Sequence, residues 1–315
     1  MHMQFAGKAL ASKMARALEH LAVAPVKNPD FNVFIWDDVT TKTIMPPMPW
    51  ANHSFKKQSS IINMLNTQTM YATYNAFTQI LKVYDATCQT AFFWVLDAHK
   101  MPPEELSAPL RDIFHWFLMH KGAYLVHAGA VGTPSGGILL AGKGGAGKST
   151  TVLNCLNSEL LYASDDYTLV TGGPNPTVYS LYSSAKLRRE SLSRVPHAIS
   201  AIINLDNLGH EKAIIFLNRM WKKKLISQFP LRAFFLPHVT GNLDTTLSPA
   251  TTKDAIHALL LSTVFQLPQT DPHSIQELIK IVRSVPSYHL NLGTQMEQIP
   301  QVISRCLKKL ETNNL

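Results

Sequence analysis

Apolar residues at Phe5, Ala9, Leu10, Met14, Leu18 and Leu21 recur with helical spacing, so residues 4–22 are predicted to form an amphipathic helix. Phe31 to Trp36 then reads as a strand, and the Pro-rich stretch Met45 to Trp50 as a loop. Tyr71 to Asp85 and Ala91 to Asp97 are rich in β-branched and aromatic residues, which predicts an antiparallel hairpin turning at Ala86 to Thr90. Pro102-Pro103-Glu104-Glu105 places prolines and acids where a helix start favours them. Leu110, Ile113, Phe114, Phe117 and Leu118 give that helix its apolar face, and Gly122 ends it. Tyr124 to Val131 and Ile138 to Ala141 are near-continuous apolar runs, as suits strands covered on both sides.

Further strands are predicted at Leu169-Val170, Thr177 to Leu181, Ala213 to Leu217 and Arg232 to Leu236. Ser248-Pro249 reads as the N-cap and first turn of a helix running to Val264, and Pro272 to Val285 supplies another. Ser287 to Leu292 alternates like a strand, and Ile299 to Leu310 is an amphipathic helix. The pattern is that of an α/β protein with a mixed sheet over residues 111–315. Residues 1–110 read as an N-terminal α+β region, with its continuity with the core left open.

Composition narrows the class. With 46% hydrophobic residues the chain of 315 is an ordinary globular one, and Ala255 to Leu267, its best apolar run, is too short for a membrane span and is interrupted by His257 and Gln266. Met1-His2-Met3-Gln4 leads into a Lys-bearing amphipathic segment unlike a secretory signal. Cys88, Cys155 and Cys306 are far apart, forming neither a disulfide framework nor a zinc motif, and the 13 histidines show no metal-binding spacing. A cytoplasmic protein with reduced thiols is expected, with no membrane partner. The formal charge of +8 asks for an anionic partner. Lys186-Leu187-Arg188-Arg189 and Trp221-Lys222-Lys223-Lys224 lie in no nucleic-acid-binding motif, so they read as solvated faces, the first also as a candidate holder of phosphate oxygens or an acidic acceptor.

The chemistry is carried by Gly142-Lys143-Gly144-Gly145-Ala146-Gly147-Lys148-Ser149-Thr150, which satisfies G-x-x-x-x-G-K-S/T in full. The apolar strand Gly136 to Ala141 precedes it and the helix Thr150 to Leu156 follows, the context the motif requires. Glycines let backbone N–H groups wrap a phosphate, and the helix N-terminus adds its partial positive charge. The loop is therefore predicted to bind ATP, with Lys148 reaching the β and γ phosphates and Ser149 on Mg²⁺. Asp165-Asp166 follows at the end of the next predicted strand.

His127 precedes Gly142 by 15 residues and Asp165 follows Lys148 by 17. With that spacing, His127 to Val170 resembles the catalytic core of the HPr kinase family. Leu181 to Leu187 and Val285 to Leu290 are similar to segments of HPr-kinase-related proteins found with lasso-peptide and other peptide-modifying enzymes. The resemblance implies an HPr kinase/PEP carboxykinase-like core and ATP- and Mg²⁺-dependent phosphorylation of a serine on a peptide or small protein. It implies Asp165 as the base that takes the serine proton and Asp166 with Ser149 at the metal; His127 reads either as support for the Asp or the phosphate site or as a core strand residue with a satisfied ring. Carboxylate assistance suits a hydroxyl, which is a poor nucleophile, and is worth roughly 10²- to 10⁴-fold. The sequence departs from the family at Thr150, where many members carry Glu, in a displaced or absent metal-ligand Glu (Glu190 being the candidate), and in a missing basic loop near the C-terminus. Those departures argue against HPr as acceptor and against the reverse reaction.

Three alternatives stay open. Lys143 to Thr150 also fits the deviant loop of ParA- and MinD-like switch ATPases, although about 140 residues precede it here. A kinase acting on a small molecule and a nucleotide-binding module without chemistry are the others. The oligomeric state, including a homo-oligomer, is likewise open.

Overall fold

The computed structural model describes residues 1–48, 60–61 and 65–312. Its first sheet is built from β1 (His2–Phe5), β2 (Asn32–Asp37), β3 (Ser60–Ile61), β4 (Met70–Asn75), β5 (Ile80–Asp85) and β6 (Thr90–Val95), ordered β1-β2-β6-β5-β4-β3. Alternation drives it: Val33 and Ile35 of β2, and Ala91, Phe93 and Val95 of β6, are buried in one cluster with Leu10, Met14, Phe114 and Trp116. The continuous helix expected over residues 4–22 is instead β1, then α1 (Lys8–Met14), then two 3₁₀ turns at Ala15–Ala17 and Glu19–Leu21. Gly7, with φ of 96°, makes the break between strand and helix. β5 and β6 form the expected hairpin. Residues 71–85, expected as one strand, fold back on themselves as β4 and β5, because the Asn75 side chain accepts hydrogen bonds from Phe77 and Thr78 N–H and Gln79 adopts a left-handed φ of 51°. Most of the Met45 to Trp50 loop reading stands over 45–48, which follows α2 (Asp38–Thr41) without regular structure; its last two residues lie outside the described residues.

The helix predicted after Pro102 is also two, α3 (Pro103–Ser107) and α4 (Arg111–Met119), parted where Leu110 takes a left-handed φ of 58°. α4 leads into the second sheet. Its strands are β7 (Ala123–Val126), β8 (Ala128–Thr133), β9 (Gly136–Ala141), β10 (Leu161–Ser164), β11 (Thr168–Thr171) and β12 (Thr177–Tyr179), then β15 (Gln228–Val239), β16 (Thr246–Pro249) and β17 (Ser287–Leu292) after the separate pair β13 (Ser184–Leu187) and β14 (Ala213–Phe216). Among the described residues this nine-stranded sheet runs β10-β8-β9-β15-β12-β11-β7, with β17 beside β15 and β16 beside β17. β15 pairs parallel with both β9 and β17, while β8 runs antiparallel to β9 and to β10. The molecule is a mixed α/β protein.

Both faces of β9 are buried, as its apolar run predicts. Ile138 and Leu140 pack with Val152 and Leu153 of α5 (Lys148–Cys155) and with Ile299 and Ile303 of α9 (Gln298–Thr312). Leu139 and Ala141 pack with Ala255 and Leu259 of α7 (Thr252–Val264) and with Leu278 and Ile281 of α8 (Pro272–Arg283). The short α6 (Leu217–Met220) follows β14. Ser248-Pro249 is not the cap of α7 but the end of β16, an edge position that tolerates proline. Thr251 is the cap, in a reciprocal capping box with Asp254. Among the described residues no helix is long and apolar enough to cross a membrane.

A buried ionic cluster ties the first sheet to the helices that precede the second. Lys82 of β5 pairs with Glu105 of α3 and, at 2.9 Å, with Asp112 of α4. Lys82→Met would leave Glu105 without its cation and Asp112 with Arg111 alone, so it should cost about 3–5 kcal/mol in urea unfolding. Replacing Glu105 with Leu in the same protein, with Asp112 kept for Arg111, should recover part of that loss; an unchanged unfolding midpoint for Lys82→Met would show the cluster to be energetically idle.

Candidate functional site

The strand, glycine loop and helix expected from the motif are present as β9, residues 142–147 and α5. Gly145 and Gly147 have φ of 88° and 105°, values that a side chain resists. At Gly147 a Cβ would also stand 2.3 Å from Leu292 Cδ1, so the loop can lie on the end of β17 only because the residue is glycine. Lys143, Gly144 and Gly145 are exposed, Ala146 and Ser149 partly so, and Gly142, Lys148 and Thr150 are buried. Lys148 Nζ donates to the carbonyls of Gly142, at 2.6 Å, and Lys143, at 3.3 Å. Its ammonium thus closes the loop on itself. Burial lowers its pKa, with the Asp166 and Asp165 carboxylates opposing the shift.

Strand direction brings the Asp pair to this loop. β10 is antiparallel to β8, which is antiparallel to β9, so β9 and β10 end at the same edge. Between Ser164↔Ala130 and Thr168↔Val126 the two chains part, leaving His127 opposite the turn that holds Asp165 and Asp166. The single strand expected over Tyr124 to Val131 is therefore β7 and β8, interrupted at His127. Asp166 adopts φ of 64° at the tip of the turn, where the Tyr167 N–H donates back to the Asp165 carbonyl at 2.8 Å. A left-handed aspartate in this setting marks a constrained site.

The two carboxyls meet different surroundings. Asp165 is 2% exposed, and its Oδ2 accepts the Lys186 backbone N–H at 3.2 Å. Its Oδ1 has no hydrogen-bond partner, although the Ser149 hydroxyl is near enough to pull the pKa down. Burial, followed by the charge of Asp166, raises the Asp165 carboxyl to about 7. Asp166 faces the cavity. Burial opposes its charge, but Lys186 Nζ at 2.8 Å and then the His127 ring hold its carboxyl well below the usual range. Of the two, Asp165 is the carboxyl whose surroundings favour a proton and Asp166 the one whose surroundings favour charge.

A polar chain fixes His127. Arg111 Nη1 donates to Tyr167 Oη at 2.9 Å, Tyr167 Oη donates to Gln266 Oε1 at 2.6 Å, and the Gln266 amide nitrogen meets His127 Nδ1 at 3.2 Å. With Oε1 engaged by the tyrosine, Gln266 donates to Nδ1, which leaves the imidazole proton on Nε2, 3.6 Å from Asp166 Oδ1. Burial lowers the His127 pKa, with Asp166 opposing, which favours the neutral ring.

These groups border a cavity of about 290 Å³. Six basic side chains, Arg111, Lys148, Lys186, Arg188, Arg194 and Lys212, stand on its wall against the carboxylates of Glu104 and Asp166, a balance suited to a polyphosphate. Of the basic run, Lys186 is a buried partner of Asp166 while Arg188 remains half exposed beside Gly145. Glu190 is exposed, pairs with Arg188 at 3.7 Å and is not on the cavity wall. Lys143 is off that wall too. Among the described residues no three His, Cys, Asp or Glu side chains form a metal cage. The orphaned Asp165 Oδ1, Asp166 and the Ser149 hydroxyl do fit Mg²⁺, which takes one or two carboxylates and completes its shell with phosphate and water. Sequence reasoning missed Arg111, Tyr167, Arg194, Lys212 and Gln266. They come from five separate segments with no local motif; only the fold assembles them.

The raised pKa of Asp165 has a thermodynamic sign. Between its ordinary value of 3.8 and about 7 the folded protein keeps a proton that the unfolded chain gives up, so this contribution is whole below pH 4 and is lost as pH rises through 7. Asp165→Asn should therefore gain stability relative to the parent as pH climbs from 4 to 7.5, measured by urea unfolding at each pH. The comparison within one pH cancels most of the opposite dependence of His115 and His127, whose pKa values burial lowers. A flat difference across that window would place the proton elsewhere.

No protein-family model matches the chain, and no curated protein matches it significantly. Among solved structures, the HPr(Ser) kinase/phosphatase from Coxiella burnetii aligns with 59% of this chain and 98% of its own at 10% identity and a TM-score of 0.34. A likeness at that level carries no weight for fold or function.

Proposed function

We propose that this chain is an ATP- and Mg²⁺-dependent kinase with an HPr kinase/PEP carboxykinase-like core that phosphorylates a hydroxyl, a serine of a peptide or small protein. The observation that carries the reading is the meeting of a complete phosphate loop with a carboxyl pair, Asp165 buried and Asp166 facing the cavity, at one sheet edge beside a strongly cationic cavity. Residues 142–147 and the N-terminus of α5 hold the triphosphate, and Lys148 leaves its carbonyl partners for the β and γ phosphates. Ser149 and Asp166 would hold Mg²⁺, which when bound neutralises phosphate charge. The acceptor oxygen bonds to the γ phosphorus as the bond from that phosphorus to the bridging oxygen breaks, ADP departs, and the hydroxyl proton passes to Asp165 in its ionised form. A carboxyl with a pKa of about 7 is half ionised near neutrality, where a base of that strength is most effective. The His127 ring, 3.6 Å from Asp166, helps to favour the charge of that carboxylate.

One observation favours a second arrangement. Ser149 lies nearer Asp165 while Asp166 faces the cavity, so the two carboxyls could exchange roles, Asp165 at the metal and Asp166 at the hydroxyl.

The test is transfer of labelled γ-phosphate to a panel of serine-containing peptides and to water, with mass spectrometry of the acceptor. Asp165→Asn should lower transfer roughly 10²- to 10⁴-fold with little change in nucleotide affinity, and Lys148→Ala should weaken both. An Mg²⁺ titration separates the two arrangements, since the carboxyl whose loss raises the half-saturating Mg²⁺ is the metal's. Full transfer by both Asp165→Asn and Asp166→Asn would reject the roles given to the two carboxyls, and an absence of transfer to any peptide by the parent would reject the kinase reading. Hydrolysis stimulated by DNA or membranes, with dimerisation on ATP, would support the switch ATPase instead.

A further inference from the structure

The pair β13 and β14 leads away from the phosphate site. Lys186 and Leu187 of β13, and Lys212 just before β14, stand on the wall of the cationic cavity, while Phe216 at the other end of β14 belongs to a separate pocket of about 190 Å³. The segment 189–201 reaches the same two places, with Ser191 and Arg194 on the first wall and Ser200 and Ala201 on the second. At about 3.3 Å per residue, the strand puts roughly 13 Å between Lys212 and Phe216.

This second pocket joins an apolar floor to a basic rim. Phe216 and Ile202 line it from the core, Ile203 and Met220 are half exposed, and Arg16 and Arg219 are exposed. Among the described residues no acidic side chain stands on its wall, and neither guanidinium is in an ion pair. Asn218 of α6 donates to the Arg16 carbonyl at 3.3 Å and to the Glu19 carboxylate at 2.6 Å, and the Ser183 N–H donates to the Ala17 carbonyl at 2.8 Å. Those bonds fix the turn that carries Arg16 against α6 and the residue before β13, with the acid beside it, Glu19, already engaged.

We propose that this pocket anchors the acceptor polypeptide through a carboxylate side chain next to an apolar one. The inference rests on the kinase reading and adds to it a recognition site outside the phosphate cavity, to which the N-terminal region contributes Arg16. Two unpaired guanidinium groups make a carboxylate the complementary partner, because their planar forks of donors match its two oxygens. Exposed charge alone supplies little affinity; the apolar floor adds to it by burying the neighbouring side chain. An extended chain covers at most about 3.3–3.6 Å per residue, so an anchor at Phe216 and a serine beside Lys212 are at least about four residues apart.

Fluorescence anisotropy without nucleotide tests the anchor. The probes are labelled glycine-rich peptides with one serine and the sequence Phe-Glu-Leu-Asp, and the same peptides with Phe-Gln-Leu-Asn in its place. The parent protein should bind the acidic peptide at least fivefold more tightly than its amide counterpart. Arg16→Gln with Arg219→Gln should remove that advantage, and Ile203→Ser should reduce it two- to fivefold, urea midpoints close to the parent's showing the variants to be folded. Lys222→Gln with Lys223→Gln, which takes the same charge from the neighbouring basic turn, should leave the advantage in place. Equal affinity for the two peptides in the parent, an advantage that survives loss of both arginines, or an equal loss with the lysine pair would overturn the assignment. Phosphate transfer then separates the anchor from the kinase reading. With the acidic sequence four or more residues from the serine, on either side, transfer should be at least fivefold faster than with the two adjacent; equal rates would overturn the anchor. A binding preference without transfer to any peptide would reject the kinase reading and leave the pocket's preference standing, while transfer without a binding preference would do the reverse.

Discussion

The constraint on which the site depends is strand parity. A single antiparallel strand, β8, separates β9 from β10, so those two share a direction, and β15 and β17 share it as well through parallel pairing. Four strand ends therefore meet at one edge: a glycine loop, a carboxyl pair and the two turns that follow Val239 and Leu292. Were β10 joined to β9 directly as a hairpin, the aspartates would lie at the far end of the sheet from the loop. The tight packing behind the edge follows from the same arrangement. Gly129 of β8 leaves only enough room for Val152 of α5, since a Cβ there would stand 2.8 Å from Val152 Cγ2, and that closeness seats the helix N-terminus against the Asp turn.

Charge is organised as a buried chain rather than as isolated pairs. From Lys82 it passes through Asp112 and Arg111 to Tyr167, Gln266 and His127, then to Asp166 and Lys186. Each ion in it would be costly alone, because desolvation exceeds what one partner returns unless every remaining donor and acceptor is used. The chain crosses from the first sheet to the second, and the hydrophobic cluster that encloses it also joins Phe31 and Phe93 to Tyr167 and Tyr182. The first sheet thus supports the side of the cavity on which Arg111 and Tyr167 stand.

How much of this was legible depended on whether the signal was local. The loop and its strand–helix flanks were read correctly because phosphate cradling needs a fixed order of glycines in one contiguous segment. β2, β17, α8 and α9 were read because a half-buried element repeats its apolar residues at its own period. The errors came where a backbone break left the apolar pattern intact. Leu110 is fully buried yet left-handed, so its place in the helical periodicity hid the split between α3 and α4. His127 sits inside an unbroken apolar run, and only the pairing of β7 with β11 and β8 with β10 reveals the gap. Ser248-Pro249 has the chemistry of a cap, but β17 offers it a ladder three residues before Thr251 makes the true one. The cavity's cations could not be found by any local rule, since a lysine such as Lys186 looks the same in sequence whether it meets water or Asp166.

The adjacency of Asp165 and Asp166 follows the same logic at atomic scale. Asp165 and Asp166 lie in the turn between β10 and β11, with Asp166 left-handed at φ of 64°, and their carboxyls meet different surroundings. One carboxyl is driven into the sheet, where burial and its neighbour's charge favour the proton; the other is turned toward an ammonium and an imidazole, where charge is favoured. Because the Asp165 shift has the charge of Asp166 among its causes, neutralising Asp166 would also release part of the proton's hold on Asp165. The two groups form one titrating unit whose division of labour is set by a single backbone turn, and a phosphate or cation entering the cavity would act on both at once.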